Sequence, residues 1–576
     1  MRSKAQAWEE PGKSFGAYRS KGTAKSTALD SLGVLAISLI ELQTKNEIHT
    51  FWETLPTETL RFLLFPADPR YTIAKTMYNR NLSFHFIGIG GSGMSGIAEV
   101  LLTLGFTVSG SELKRTAVTD RLTTLGAQIS FGHAGSNIPQ GCSSVVFSSA
   151  VSALNPEMVA ARELGIPTVR RAEVLAELMR LKYGVAVAGS HGKTTTTSMT
   201  AAVLAELDPT VIVGGVVRQA QNVQSVGAVE TTSEKQSRGT QGSTSESGAR
   251  LGRGQYLIAE SDESDKSFLL LKPSVAVITN IDAEHLSTYG SLAELKDAFL
   301  QFAESVPFYG LCVLCIDDPA VRALSVKITR RMVTYGFSSD AQVRGELIAV
   351  TPAGSTMNVY AGERHLGEFL VPMLGRHLAL NALAAIAIGL EFGVSPESIK
   401  GSLGRFAGVR RRLEHCGTLQ LSTVSGVEIY SDYGHHPTEV QACIRALRES
   451  FKDTLRRLIV IFQPHRYTRT AECFDEFVRS FDDVDHLLVT EIYSAGEASI
   501  EGISSEKLVE ALTQRAGAGR SVALLPNLES AEASLEKFNL GAGDFVLCLG
   551  AGSIGSLPEM LLAGNSGARV EEARVA

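Results

Sequence analysis

Cysteine is scarce in this chain, with 7 residues in 576, and tryptophan scarcer still, with 2. The cysteines are scattered, and the one C-x-x-C pair, Cys312 and Cys315 in "YGLCVLCIDDP", has no second pair to complete a zinc set. The alternating apolar pattern around it reads as a buried strand. Such usage excludes a disulfide framework and suits a reducing cytoplasm. Long apolar runs are missing too. The stretch "LGVLAISLIEL" (Leu32 to Leu42) has about half of the roughly 20 residues a membrane span requires, and it lies too far along for a signal peptide. Charge of one sign is also lacking: 54 basic against 61 acidic residues give a net −7, too little over this length for a broad nucleic-acid footprint. What remains is an ordinary globular composition, 44% apolar and 20% charged. A cytoplasmic protein is expected, with no nucleic acid and no membrane among its partners.

The length calls for three or four cores. Residues 1–80 carry no recognisable chemistry and are expected to be an N-terminal extension; Met77, heading "MYNRNLSFHFIGIGG", offers an alternative start. From Ser83 to about Lys182, strands such as "SFHFIGIGG", "TVSGSE", "SVVFSSAV" and "IPTVRR" alternate with helical patterns. That alternation predicts a parallel sheet with helices on both faces. A second α/β region opens at "YGVAVAGSHGKTTTTSMTAAVLAEL" and runs through "YLIAESDESD" and "VAVITNIDAEH". A third begins near "GVEIYSDYGHHPTEV" and passes "RRLIVIFQPHR", "HLLVTEIYSAGE" and "FVLCLGAGSIG". Between them, Gln219 to Gly254 is rich in Ser, Thr, Gln and Gly with almost no large apolar residue, so a disordered insertion is expected there. The tail, 564–576, reads similarly.

"VAVAGSHGKTTTT" has the order strand, glycine turn, helix start. Gly189 and Gly192 let backbone N–H groups turn towards an anion at a helix N-terminus. Lys193 supplies charge for β/γ-phosphates and Thr194 an oxygen for Mg²⁺. The spacing is G-x-x-G-K-T, a shortened relative of the usual phosphate loop. Downstream, "YLIAESDESDKSF" offers Glu260, Asp262, Glu263 and Asp265, and "VAVITNIDAEHL" offers Asn280, Asp282 and His285. Both clusters end strands, the edge where open α/β sheets take ligands, so Glu260 and His285 are candidates to complete a Mg²⁺ shell around ATP.

"GSHGKTTTT", "AESDESDKSF", "TNIDAEHL", "GRHLALNAL", "GVRRRLE", "SDYGHHPTEV", "QPHRYTRT" and "YSAGE" follow one another here as they do in Mur ligases, and the chain resembles that family over roughly residues 80 to 563. The resemblance implies a three-domain α/β fold. A Rossmann-like UDP-binding domain would occupy 81–182, a central P-loop ATPase domain 183–411, and a C-terminal Rossmann-like amino-acid domain 412–563. It lies nearest the members that join L-alanine to the lactoyl carboxylate of UDP-N-acetylmuramate in peptidoglycan precursor synthesis. The implied reaction consumes ATP, with Mg²⁺, and releases ADP and phosphate. The γ-phosphoryl group turns a poor electrophile into an acyl phosphate, which the amine attacks; catalysis is charge placement and alignment. A monomer or weak homodimer is expected.

Carried over residue by residue, the resemblance makes Gly189, Ser190, His191, Gly192, Lys193, Thr194 and Thr195 the ATP loop, with Thr194, Glu260 and His285 on the metal. His377 and Asn381 would meet adenine, although Leu378 stands where the family usually has Asn. Arg411, with Arg412 beside it, matches an arginine pair at the junction with the third domain, placed to meet the γ-phosphate on closure. Asp432, His435, His436, His465, Arg466 and Arg469 would form the substrate pocket. There the arginines pair with a carboxylate, and Asp432 or a histidine receives the ammonium or its proton; the sequence leaves open which. Three histidines without ligand spacing do not make a zinc site. Tyr493 and Glu497 match a further family segment.

"GIGGSG" satisfies G-x-G-x-x-G through Gly88, Gly90 and Gly93, and Glu112 stands near a ribose-binding position, which by itself suggests an NAD(P)-dependent oxidoreductase. The loop encodes only close backbone approach to a pyrophosphate, and a UDP-sugar carries one. With ATP placed downstream, Gly88, Gly90, Gly91, Ser92 and Gly93 are assigned to the UDP-sugar diphosphate, Ser111 and Glu112 to the nucleoside, and Ser148 and Ser149 to further phosphate contacts. The rivals are a tripeptide-adding recycling ligase, a folate polyglutamylating ligase and a nucleotide-switched binding protein.

Overall fold

The chain builds three sheets, one after another, and hangs its loops at their carboxyl edges. The computed structural model describes residues 82–91, 93–214, 249–421, 424–517 and 519–563, and the backbone alone at 420, 421, 424 and 425. All of these lie in one unit, Arg70–Ala576. The expectations for residues 1–80, for Ser92 and for the tail fall outside the described residues.

The first sheet has β1 (Ser83–Ile87), β2 (Thr107–Glu112), β3 (Gln128–Phe131), β4 (Ser144–Phe147) and β5 (Thr168–Arg170) in the order β3-β2-β1-β4-β5, all parallel. Helices α1 (Met94–Thr103) and α2 (Pro156–Glu163) connect β1 to β2 and β4 to β5, a short helix at Ala117–Thr124 connects β2 to β3, and α3 (Arg171–Arg180) leads from β5 into the next sheet. This is the alternation read from the sequence.

The second sheet is larger. Its ten strands run β15-β14-β13-β12-β11-β10-β6-β9-β7-β8. In chain order they are β6 (Tyr183–Ala188), β7 (Thr210–Ile212), β8 (Ala249–Arg250), β9 (Tyr256–Glu260), β10 (Val275–Ile278), β11 (Leu311–Cys315), β12 (Met332–Gly336), β13 (Val343–Thr351), β14 (Gly354–Ala361) and β15 (Arg364–Val371). Helix α4 (Lys193–Val203) follows β6, and α5 (Arg376–Glu391) packs on it where a Cβ at Gly389 would lie 2.5 Å from Val203 Cγ1. Strand β6 is buried on both sides. Val185 and Val187 join the core shared with the C-terminal sheet, and Ala186 and Ala188 the core shared with the N-terminal one. Cys312 and Cys315 lie in β11, buried and unpaired, as the apolar pattern predicted.

The expected disorder between Gln219 and Gly254 needs correction at its end. Residues 219–248 lie outside the described residues, but Ala249–Arg250 form β8 on β7. Lys182 Nζ donates to the carbonyls of Gly252 (2.9 Å) and Gly254 (2.7 Å), and Arg250 pairs with Asp208. The glycines, read as flexibility, are needed for close approach: a Cβ at Gly254 would sit 1.9 Å from the Leu207 carbonyl oxygen.

The third sheet runs β16-β17-β21-β18-β19-β20, from β16 (Glu414–Leu421), β17 (Val424–Asp432), β18 (Arg457–Phe462), β19 (His486–Thr490), β20 (Ser521–Leu525) and β21 (Asp544–Leu549). All pairs are parallel except β16–β17. The sequence showed this region starting only at β17; the bulge at Gly417 in β16 breaks the alternation that would have revealed it. Helices α6 (Pro437–Ser450) and α7 (Tyr467–Glu472) follow β17 and β18 and face the central sheet's loops.

Candidate active site

The N-terminal turn is held by its own strands. Gly88 and Ile89 N–H donate to the Ser111 carbonyl, and Gly90 N–H to Glu112 Oε2 at 2.9 Å. Gly88 and Gly93 have φ of 71° and 78°, left-handed values natural to glycine. At Gly93 a side chain would also strike Arg171, whose Nη1 lies 2.5 Å from the Cβ position. Ser148 and Ser149 line a cleft of about 300 Å³ with Arg170, Arg171, Asp265 and Ser267, so the N-terminal and central domains share it. Arg171 Nη2 pairs with Asp262 at 3.4 Å. Neither arginine was singled out in the sequence, because "IPTVRR" reads simply as a strand end.

Ser111 is a correction. Its hydroxyl turns inward and donates to Glu157 Oε2 at 2.6 Å, with Ser111 and Glu157 both fully buried. Only its carbonyl shapes the turn. Burial opposes the Glu157 charge, but hydrogen bonds from His85, Ser111 and Asn137 lower its pKa to about 2.

The phosphate loop joins β6 to α4 with Gly189 and Gly192 at φ 134° and 81°. The β10 end grips it. Asn280 Oδ1 accepts from His191 N–H (2.8 Å), and Asp282 N–H donates to Ser190 Oγ (2.9 Å). Asn381 comes within 2.6 Å of the Cβ position of Gly192, which brings α5 onto the loop. Thr195 is buried in the first turn of α4, beside Thr194. Lys193 Nζ donates to the Gly189 carbonyl (2.7 Å), the Ser190 carbonyl (3.1 Å) and Glu263 Oε1 (2.8 Å). Burial works against its charge, yet Glu263, Asp262 and Glu260 hold its pKa above the usual lysine value. Thr194 Oγ1 donates to Glu260, 3.0 and 3.1 Å from its two oxygens.

Of the expected metal set, Thr194 and Glu260 are therefore in contact, while His285 groups with Glu263 and Glu284, their donor atoms within 4.8 Å of one another. Glu263 Oε2 and Glu284 Oε1 are buried without hydrogen-bond partners. Glu284 was missed, although it stands next to His285 in "IDAEHL". Burial raises Glu263 to about 7 despite Lys193 beside it.

His191 links the loop to the C-terminal domain. Its Nε2 lies 3.0 Å from Asp282 Oδ2 and its Nδ1 3.2 Å from Glu439 Oε1, and its ring packs on His436 at 5.1 Å. Thr438 donates to Asp282 at 2.7 Å. Burial disfavours the imidazolium, but the hydrogen bond to Asp282 and the adjoining Glu439 carboxylate raise its pKa to about 10. Its assigned ATP contact therefore gives way to an interdomain ion pair, since both ring nitrogens face carboxylates.

The arginine pair divides. Arg411 Nη2 donates to the Gly550 carbonyl and lies 3.5 Å from that of Gly552, so it fastens the C-terminal sheet and does not enter the ATP side. Arg412 stacks on Tyr433 at 5.2 Å and feels Asp432, Glu439 and Glu260 together; among the described residues it forms no ion pair. The junction arginine facing the cleft is thus Arg412, correcting the choice of Arg411. Asp432 is corrected too: Oδ2 accepts from Leu413 N–H (2.7 Å) and Oδ1 from Gly434 N–H (2.6 Å), so backbone occupies both oxygens.

The remaining pocket assembles as a row. His435 Nδ1 lies 3.1 Å from the Tyr433 carbonyl, and its ring lies 5.6 Å from that of His465, which stacks on Tyr493. Burial holds His435 at about 4 and His465 at about 3. Arg469 Nε lies 3.6 Å from Glu284 Oε1, across the domain junction. Arg466 is half-exposed, 3.9 Å from Glu497, and Glu497 caps α7 through Thr468. His436 is buried, its Nδ1 3.4 Å from Asp282. His377 opens α5 towards this junction, lowered to about 4 by burial.

A phosphate-loop domain between two Rossmann-like sheets, with its cleft at their carboxyl edges, defines an ATP-handling enzyme of the ligase type. Three family models match along the chain: "Mur ligase family, catalytic domain" over 83–183, "Mur ligase middle domain" over 187–389 and "Mur ligase, glutamate ligase domain" over 411–552. The UDP-N-acetylmuramate–L-alanine ligase of Anaeromyxobacter dehalogenans (strain 2CP-C) is 47% identical over 486 residues, 84% of this chain and 98% of that protein. Its counterpart from Desulfatibacillum aliphaticivorans is 46% identical over 85% of this chain and 100% of that one. Among solved structures, the Thermotoga maritima UDP-N-acetylmuramate–alanine ligase MurC superposes with a TM-score of 0.66 at 27% identity, covering 84% of this chain and 100% of that one. A murein peptide ligase from Psychrobacter arcticus shares the fold, with a TM-score of 0.59 at 22% identity over 84% of this chain and 98% of that one. The chain belongs to the Mur ligase family.

Proposed function

We propose that this Mur ligase joins L-alanine to UDP-N-acetylmuramate at the expense of ATP, as a step of peptidoglycan precursor synthesis in the cytoplasm. The observation that carries the reading is the junction of the central and C-terminal domains. Lys193, Glu260, Glu263 and His285 from the central domain meet Arg412, His435, His465 and Arg469 from the junction and C-terminal domain. The names of relatives at 46–47% identity favour alanine over a tripeptide, since the peptide ligase is matched only at the level of fold.

The diphosphate of the sugar nucleotide would lie on the Gly88–Gly93 turn, and its muramoyl arm would reach past Arg171 towards the central loop. His377 and Asn381, at the start of α5, border the adenine side. Lys193 would bind the β/γ-phosphates, exchanging Glu263 for phosphate oxygens. Thr194, Glu260 and His285 would hold Mg²⁺, with Glu263 beside them. The donors are mainly hard oxygens, and two carboxylate oxygens lie buried without partners, which suits that cation. Bound there, it would neutralise charge between the β- and γ-phosphates.

The muramoyl carboxylate attacks the γ-phosphorus and the bond to the β-phosphate oxygen breaks, leaving ADP and an acyl phosphate. The alanine nitrogen then attacks the carbonyl carbon and loses a proton; the C–O bond to phosphate breaks, and amide and phosphate leave. Arg412, presented at the junction, would follow the phosphoryl charge through both steps. The domains are assigned as 81–182, 183–411 and 412–563, and the active form as a monomer or weak homodimer. Among the described residues no helix is long and apolar enough to cross a membrane. The test is phosphate release from ATP, Mg²⁺ and UDP-N-acetylmuramate with L-alanine, glycine, L-serine or tripeptide added. Alanine should give the highest kcat/KM; release without any amine, or a preference for tripeptide, would overturn the assignment.

A further inference from the structure

We infer that His191, Asp282 and His436 form a second metal site, for a divalent transition ion of the Zn²⁺ or Co²⁺ class, that ties the central domain to the C-terminal one. The site is separate from the Mg²⁺ set on the phosphate side and does not depend on which amine the enzyme takes. His191 stands in the phosphate loop, Asp282 in the loop after β10, and His436 at the N-cap of α6. One donor atom from each lies within 4.8 Å of the other two. Asp282 Oδ2 is 3.0 Å from His191 Nε2 and 3.4 Å from His436 Nδ1. Tetrahedral ligands at about 2.0–2.1 Å from zinc stand roughly 3.3 Å apart, so this oxygen already keeps ligand spacing from both rings.

Both rings are set for an ion. His436 is 5% exposed, and its Nδ1, aimed at the Asp282 oxygen, is buried without a hydrogen-bond partner. That state is costly for a ring nitrogen, and a bound ion ends it. Metal-bound histidines turn their other nitrogen to a carboxylate or similar acceptor, which fixes the ring. Here His191 Nδ1 stands 3.2 Å from Glu439 Oε1, and His436 Nε2 3.8 Å from Cys473 Sγ. On binding, His191 gives its Nε2 proton to solvent, the ion takes over the positive charge between Asp282 and Glu439, and water fills the fourth position. Donor chemistry separates the two sites. Two imidazole nitrogens and one oxygen favour zinc or cobalt, whereas the group of Glu263, Glu284 and His285 offers mainly oxygens and suits Mg²⁺. Two ligands belong to the central domain and one to the C-terminal domain. In an enzyme whose domains part to release product, an ion held there slows turnover.

The probe is Co²⁺, titrated into the full-length protein in excess Mg²⁺. A single equivalent should bind with the visible absorption of a four-coordinate ion and raise the melting temperature. His436→Gln should weaken that binding by about 100-fold or more, and Glu439→Gln, which leaves every ligand in place, by about 10-fold. Glu263→Gln, on the phosphate side, should change it by less than about twofold. Absence of the band in excess Mg²⁺ would overturn the inference, as would a band that survives His436→Gln and is lost in Glu263→Gln. Should His436→Gln not fold, Thr438→Val decides. Thr438 donates to the same Asp282 oxygen at 2.7 Å, so its removal frees a lone pair and should tighten Co²⁺ binding roughly 3-fold. Unchanged or weaker binding in that variant would overturn the site.

Discussion

The two glycine turns share a backbone and differ in charge. Each leaves an interior parallel strand and enters a helix through a left-handed glycine, Gly93 at φ 78° and Gly192 at φ 81°, and neither helix has a side-chain cap. Free N–H groups at a helix start suit any small anion. The central turn brings its own cation, Lys193, in front of Glu260 and Glu263. The N-terminal turn brings none; it borrows Arg171 from α3 and binds Glu112 to its own backbone. A lysine among carboxylates fits an anion that arrives with a divalent cation. A borrowed arginine fits a diphosphate that arrives alone. The shape identifies an anion site, and the neighbours choose the anion.

The largest expected effect comes from emptying the central turn of its charge. Lys193→Ala should reduce turnover about 10³-fold or more while calorimetric binding of UDP-N-acetylmuramate changes little. Loss of both in a folded variant would show that the turns do not divide the work. Next comes the junction. Arg412→Ala should lower kcat about 100-fold, whereas Arg411→Ala should chiefly lower the melting temperature, because Arg411 ties the Gly550–Gly552 loop. The opposite ranking would restore Arg411 to the chemistry. On the N-terminal side, Arg171→Ala should raise the KM for UDP-N-acetylmuramate about 10-fold and leave that for ATP alone; an equal effect on both would merge the two sites.

A smaller effect concerns pH. His191 is raised from 6.5 to about 10 in the folded protein, so its contribution to stability is complete below pH 6.5 and is lost as pH climbs through 10. Between pH 7 and 10 the melting temperature should fall more steeply for wild type than for His191→Gln; parallel curves would remove the ion-pair hub. Smallest of all, excising residues 219–248 should leave kcat/KM near wild type. Extending the cut to Gly254 should destabilise the protein, because Lys182 loses both carbonyl acceptors.

Much of this was legible in the sequence because period and punctuation carried it. The strands ending at Ala188, Glu260 and Ile278, and the turn Gly189–Lys193, follow from apolar runs closed by glycine and acid. What the sequence hid was direction. Ser111 and Asp432 are polar and near the cleft, yet their side chains serve buried backbone and carboxylate partners. Glu284 and Arg171 read as ordinary neighbours of better-known positions until the fold set them against Arg469 and Asp262. Side-chain orientation at strand ends depends on contacts tens of residues away, which local pattern cannot carry.

Arg411 and Leu413 both hold left-handed backbone, φ 57° and 44°, on either side of Arg412. Neither is glycine, so each conformation costs on the order of 1 kcal/mol, offset by Glu414 on the Arg411 N–H and Asp432 on the Leu413 N–H. The arginine triplet is therefore a combination lock set by winding, with one of three equal charges dialled to the cleft. A glycine at either flanking position would ease the winding and let the dial slip.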